Sequence, residues 1–511
     1  MLSAATLVAL ATGLVATAAD GTLRNVVYFM EWGIYDQNFP IFKLDWSRIT
    51  HINYAFGKPA ADGTVGMFDS WAATDEHYAD DSEEDPNIVA GQFGRANKMK
   101  RMYRNTKFGL SIGGWTLSDQ FSNIFSTAAG RQRFVDSSVK LMLDLGLDFI
   151  DIDWEYPVEG GNDSPPVPHR PEDIQNFVLV LQAFRSAFAK LPFKAELSVA
   201  SPAGPANYRH WDFKSICGLL DHINIMTYDL AGSWSAYTDH LANLYEDPNH
   251  PPGAKYSVHG AIQDYIKGGC PSDKIVMGIP LYGVSFEHST GLYSNFTQPT
   301  KGSWKGGEGQ WDYKVLPLAG ATEGFDAKLG AAYSYDPKAQ TFTSYDSPES
   351  MAMKLDYIKK YNLGGTMFWA GDSDAPAGGS RSLITQAYNA FGKEHMAFWE
   401  NNINYPTSKY SNIRNGSTPT PTSSGPTTVT PQPTSKTPAP STKTPSPSTK
   451  TPAPTSSSPV PTTTPQPTPS PTPTTDVCEG HHNVCFWPLT HQVLNYGQAD
   501  CKLFSSFVWC P

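Results

Sequence analysis

Beyond its first nineteen residues the 511-residue sequence has no apolar run approaching the roughly 18 residues that a membrane-spanning helix needs. It is also short of positive charge: 38 Lys and Arg against 49 Asp and Glu leave a net charge of −11, with no basic cluster to neutralise phosphates. Nucleic acid and an anionic membrane are thereby excluded as main partners, whereas a neutral polymer is compatible. Cysteine is scarce, with six in the whole chain. An even number suits an oxidising destination. Cys217 and Cys270 each stand shortly before one of two strands expected to be neighbours, so a Cys217–Cys270 disulfide and two buried thiols are both compatible with the sequence.

What is present divides the chain. Residues 1–19 are small and apolar and end in Ala16-Thr17-Ala18-Ala19, as a secretory signal does, although no Lys or Arg precedes the apolar stretch. The protein is therefore expected to be secreted and extracellular, in contact with the cell wall or free of it. Residues 20–400 carry eight short runs rich in Val, Ile, Phe and Tyr: Asn25 to Glu31, Ile49 to Phe56, Lys107 to Ile112, Leu147 to Tyr156, Lys194 to Ala200, His222 to Tyr228, Ile275 to Tyr282 and Gly364 to Trp369. Helical periodicity separates most of them, most clearly at Arg131 to Leu145, Glu172 to Lys190, Ser350 to Lys360 and Ser382 to Phe391. Strands alternating with helices indicate parallel β/α units, and eight units fit an α/β fold closed as a (β/α)8 TIM barrel.

Three further segments are expected outside the barrel repeat. Residues 284–347, rich in Gly, Trp, Tyr and Thr, read as an α+β insertion domain on the face that carries the chemistry. Residues 415–475 are nearly all Ser, Thr or Pro; such a segment cannot bury a core and reads as an extended, disordered linker suited to O-glycosylation. Residues 476–511 hold Cys478, Cys485, Cys501 and Cys510, enough for two disulfides in a small module. The run Cys478-x-x-His481-His482-x-x-Cys485 has the look of a zinc site, but in a secreted chain disulfides are the better reading. The module's Phe486, Trp487, Tyr496, Phe504, Phe507 and Trp509 are too many aromatics for so small an interior, and exposed flat rings suit stacking on sugars.

The fourth run carries the chemistry. Along Leu147 to Tyr156 alternate side chains share a face, so Asp151, Asp153 and Glu155 point one way while Ile150, Ile152 and Trp154 point the other. If the apolar set packs under the helices, three acids face the barrel interior. Like charges stacked there, partly desolvated, raise at least one carboxyl pKa, and a raised carboxyl at the C-terminal end of a barrel strand is placed to act as a general acid.

The pattern Asp148-x-x-Asp151-x-Asp153-x-Glu155 resembles the signature of family 18 chitinases. The similarity extends over roughly residues 25 to 395, through Ser111-Ile112-Gly113-Gly114-Trp115, Met226-Thr227-Tyr228-Asp229, Gly278-Ile279-Pro280-Leu281-Tyr282-Gly283 and Trp369. The resemblance implies hydrolysis of β-1,4 links between N-acetylglucosamine units with retention, the substrate's own acetamido group acting as nucleophile. It implies Glu155 as acid and then base, Asp153 orienting the acetamido group while sharing a proton with Asp151, and Tyr228 and Asp229 supporting the intermediate. It also implies Trp369 as the floor of the sugar site, Tyr28, Phe56, Met226 and Tyr282 lining it, Gly113 and Gly114 admitting a close backbone, and Trp115 and Tyr156 touching the chain. No metal or organic cofactor is implied; the expected partner is chitin or its oligosaccharides, bound by a monomer.

One departure stands out: where members with an insertion domain often have Arg after Tyr-Gly, this chain has Val284. Two other functions share the resemblance, a non-catalytic chitin-binding lectin and an endo-β-N-acetylglucosaminidase, and the presence of Glu155 and of the terminal module disfavours them. A structural wall glycoprotein would leave the three acids unexplained. Sequons at Asn295 and Asn415 permit N-glycosylation.

Overall fold

The structure is a computed structural model that describes residues 21–81, 85–253, 255–304 and 306–414, with 482, 484–487, 492–494 and 508–510. The signal and linker segments, the second sequon and most of the terminal module, including Cys478 and His481, lie outside the described residues.

Seventeen strands are described. Eight of them are parallel neighbours that close on themselves: β1 (Arg24–Met30), β2 (His51–Pro59), β4 (Lys107–Gly113), β5 (Phe149–Asp153), β6 (Glu196–Pro202), β7 (His222–Met226), β8 (Ile275–Pro280) and β14 (Gly365–Trp369). β1 pairs with both β2 and β14, which completes the ring. The short β3 (Val65–Met67) only extends β2 on one edge. Every residue of β1, β4, β5, β6 and β8 is buried, as strands covered on both faces require.

Helices return the chain between strands, among them α1 (Gly91–Met102), α2 (Phe121–Phe125), α3 (Ala128–Leu145), α4 (Asp173–Phe188), α5 (Pro205–Tyr208), α6 (Phe213–Leu219), α7 (Val258–Lys267), α8 (Pro348–Lys360) and α9 (Leu383–Phe391). Their ends follow from local chemistry. Thr127 caps α3 by accepting the Gly130 N–H at 3.0 Å, and the left-handed Gly146 terminates it. Ser347 and Ser350 close a capping box around Pro348 at the start of α8. Just past β5, the Trp154 ring packs on Phe121 and Phe125 of α2 and on Phe177 of α4 at 5.4 to 5.6 Å. At the opposite end of the strands a Cys217–Cys270 disulfide ties α6 to the turn before β8, which decides between bridge and thiols.

Three expectations are corrected. The acid strand is shorter than Leu147 to Tyr156, because its last paired residue is Asp153, opposite Gly113. Glu155 therefore stands just past the strand. The run Ile275 to Tyr282 is two strands, since Leu281 separates β8 from β9 (Tyr282–Phe286). β9 belongs to a five-stranded antiparallel sheet with β10 (Gln310–Asp312), β11 (Thr322–Asp326), β12 (Ala331–Asp336) and β13 (Thr341–Tyr345), in the order β10-β9-β13-β12-β11. The expected α+β character is absent: among its described residues this region has a single 3-10 turn, Tyr313–Val315, and no α-helix. Aromatic and Thr residues such as Tyr333, Tyr335, Thr341 and Thr343 favour extended backbone, and the Asp336-to-Gln340 turn joins β12 to β13 as a hairpin.

A second unit, Thr420–Pro511, contains β15 (Val484–Trp487), β16 (Gln492–Leu494) and β17 (Val508–Cys510), with β15 antiparallel to both others.

Candidate active site

The parallel register of β5 fixes what each acid meets. Asp151 lies between Ser111 of β4 and Ser198 of β6, and it is fully buried. Its carboxylate accepts the Ser111 hydroxyl at 2.7 Å, the Ser198 hydroxyl at 2.5 Å and the Tyr28 hydroxyl at 2.7 Å. Burial raises its pKa and these donors pull it back.

Asp153, one layer higher, lacks such support: its Oδ1 is buried with no hydrogen-bond partner among the described residues. Burial, then the charges of Glu155 and Asp151, push it well above the ordinary carboxylate range. Glu155 is pushed up to about 7 by burial, with the Tyr156 hydroxyl opposing and the Asp229 charge adding. Asp229, beyond the end of β7, is raised to about 6 by burial and restrained by a hydrogen bond from Tyr282. All four carboxyl groups at this end of the barrel are thus raised above their ordinary values, to different extents.

These groups meet a cavity of about 470 Å³ at the C-terminal ends of the strands. Asp153, Glu155, Tyr228 and Asp229 line it, as do Tyr28, Phe56, Met226 and Trp369. Trp115 and Tyr156 stand on its rim, Trp115 about half exposed at 49%. The Phe56 and Trp369 rings stack with centroids 5.7 Å apart and 21° between planes, and Tyr28 meets Trp369 edge-on at 5.6 Å. Asp151 lies beneath the cavity rather than on it, and Tyr282 stands behind Asp229. Neither Gly113 nor Gly114 lines it, yet both shape it. At Gly113 (φ +111°) a Cβ would fall 2.1 Å from the Asp153 carbonyl oxygen, and at Gly114 (φ +90°) 2.7 Å from the Phe56 ring.

Several cavity residues had no sequence signal strong enough to single them out. Trp32, Phe68, Trp234 and Tyr256 all line it, with Trp32 6.3 Å from Trp369. Trp32 sits in the 3-10 turn after β1, Phe68 directly follows β3, and Trp234 and Tyr256 lie in the long segment between β7 and α7, where no periodicity marks them. Ser118 was also missed: its hydroxyl accepts the Glu155 N–H at 2.9 Å and donates to the Gly114 carbonyl at 2.9 Å, fixing the backbone under the acid. Among the described residues no cluster of His, Cys, Asp and Glu is arranged to hold a metal ion.

Residues 24–374 match the model of the glycosyl hydrolases family 18. Over 399 residues the chain is 43% identical to chitinase 1 of Aphanocladium album, covering 77% of this chain and 90% of that one. Over 401 residues it is 42% identical to endochitinase 1 of Metarhizium robertsii, covering 77% and 91%. Among solved structures, chitinase ChiA74 from Bacillus thuringiensis superposes with a TM-score of 0.68 at 32% identity, over 72% of this chain and 69% of that one.

Proposed function

The chain belongs to glycosyl hydrolases family 18 and is a chitinase, and from that premise we propose that it cleaves β-1,4-linked N-acetylglucosamine chains by a retaining, substrate-assisted route with Glu155 as general acid and then general base. The observation that carries this reading is the Glu155 carboxyl, raised to about 7 at the wall of an aromatic cavity. A carboxyl so raised is partly protonated near neutrality and has a proton to give to the leaving glycosidic oxygen.

In this reading the acetamido carbonyl oxygen of the sugar attacks C1 as the glycosidic bond breaks, and an oxazolinium ion forms. Glu155 then takes a proton from the incoming water, which opens the ring with the starting configuration restored. Asp153, deprived of donors, carries a proton in the empty site, because the three hydroxyls around Asp151 favour its anion. When the acetamido N–H arrives, the Asp153 carboxylate is a ready acceptor for it and Asp151 takes up the proton. Tyr228 and Asp229 hold the acetamido group, and Trp369 supports the sugar face.

The five-stranded sheet would raise one wall of the groove. The reading of residues 1–19 as an export signal and of 476–511 as a sugar-binding module, on a monomeric secreted protein, belongs to the same proposal. Among the described residues no helix is long and apolar enough to cross a membrane. The test is the anomer released from N-acetylglucosamine oligomers, followed by proton NMR before mutarotation. The β-anomer is expected; the α-anomer would rule out the substrate-assisted scheme.

A further inference from the structure

Directly after β1 stands Glu31, an acid that is fully buried and does not line the cavity. Its Oε2 accepts the Tyr54 hydroxyl at 2.9 Å and its Oε1 accepts the Asp69 main-chain N–H at 3.1 Å. The Phe56 N–H also helps to hold it. Burial nevertheless raises its pKa well above the carboxylate range, with the Tyr54 hydroxyl opposing and the Asp69 charge adding. A well-packed apolar side chain in such a place is commonly as stable as a buried ionisable group or more so, so stability alone is a poor reason for this residue.

Two of its three donors, the Phe56 and Asp69 main-chain N–H groups, belong to segments that form the groove. Phe56 is the ring stacked on Trp369, and Phe68, immediately before Asp69, lines the same cavity and donates its N–H to the Phe56 carbonyl at 3.3 Å. Asp69 carries the order outward: its carboxylate accepts the Ala72 N–H at 3.1 Å and the Tyr35 hydroxyl at 2.5 Å. The Tyr35 and Trp71 rings, both on the surface, stack at 6.1 Å and 18°. One carboxyl group thus joins the end of β1, β2 and the turn after β3.

We propose that Glu31 is a positioning residue of the sugar-binding groove, setting Phe56 and the Phe68–Asp69 segment relative to Trp369 without touching the substrate. The inference rests on the cavity being the sugar site, as proposed above.

The test uses the full chain with three substitutions. Glu31→Leu removes every acceptor, Glu31→Gln keeps an oxygen for the main-chain N–H groups while its amide can donate to a turned Tyr54 hydroxyl, and Tyr54→Phe removes one donor. With a chitin hexamer, Glu31→Leu should raise KM about tenfold with a much smaller change in kcat, and Tyr54→Phe about threefold, while Glu31→Gln stays near the parent. If the Leu variant does not fold, Tyr54→Phe and Glu31→Gln decide. A lowered melting temperature with KM unmoved, or a Gln variant as impaired as the Leu variant, overturns the proposal. The same substitutions are made in a Glu155→Gln background and hexamer Kd is read by calorimetry, so that the role of Glu31 is judged even if the assignment of Glu155 fails. Kd there should rise by the same factors, and an unchanged Kd overturns the proposal.

Discussion

The Tyr282 hydroxyl donates to Asp229 Oδ1 at 2.6 Å, so the first residue of the antiparallel sheet steadies a carboxylate whose charge bears on Glu155. Because Glu155 is raised to about 7, chiefly by burial and in part by Asp229, kcat/KM for a soluble oligomer should fall as pH rises through about 7, where the free enzyme loses its acid proton. Asp229→Asn removes the added charge and should move that alkaline limb to lower pH. A pH profile of both proteins checks it, and a limb that stays in place or moves upward would refute the coupling.

Glu155→Gln should lower kcat on chitin oligomers by about 10²- to 10⁴-fold, the span that a positioned acid and base contribute. Oligomer affinity measured by calorimetry should stay within a few fold, since the aromatic cavity is untouched. Loss of affinity equal to the loss of rate would assign Glu155 to binding.

The same substitution should stabilise the protein in a pH-dependent way. The folded-state pKa of Glu155, about 7, exceeds its ordinary 4.5, so the neutral carboxyl's advantage in the fold is complete below about pH 4.5 and disappears as pH climbs through about 7. Gln suffers no such decline. The melting-temperature gain of Glu155→Gln over the parent should be small at pH 4 and larger at pH 8, worth at most about 3 kcal/mol.

Replacing Cys217 and Cys270 together by Ser should cost stability without costing chemistry. The bridge spans 53 residues and lies at the end of the barrel away from the acids, so denaturant unfolding should show a loss of about 2–4 kcal/mol. Oligomer hydrolysis well below the transition should be unchanged.

The barrel and its acid ladder were legible because they obey short-range rules. Ile150, Ile152 and Trp154 face the helices and Asp151 and Asp153 face inward, as a period of two dictates. Where the strand stops was not legible, since that depends on Gly113 and the chain crossing beside it. The β11–β12 hairpin of the five-stranded sheet escaped notice because its strands are partly exposed and show no clean alternation. Trp32 and Trp234 reach the cavity from loops, and Glu31 resembles any isolated acid until the fold brings Tyr54 and Asp69 to it.

Leu281 alone divides β8 from β9, and its N–H donates to the Trp369 carbonyl at 2.7 Å. A joint one residue long, itself bonded to a residue that lines the cavity, leaves no slack for a swivel. The Trp369 side of the cavity and the antiparallel sheet beside it should therefore travel together as one piece.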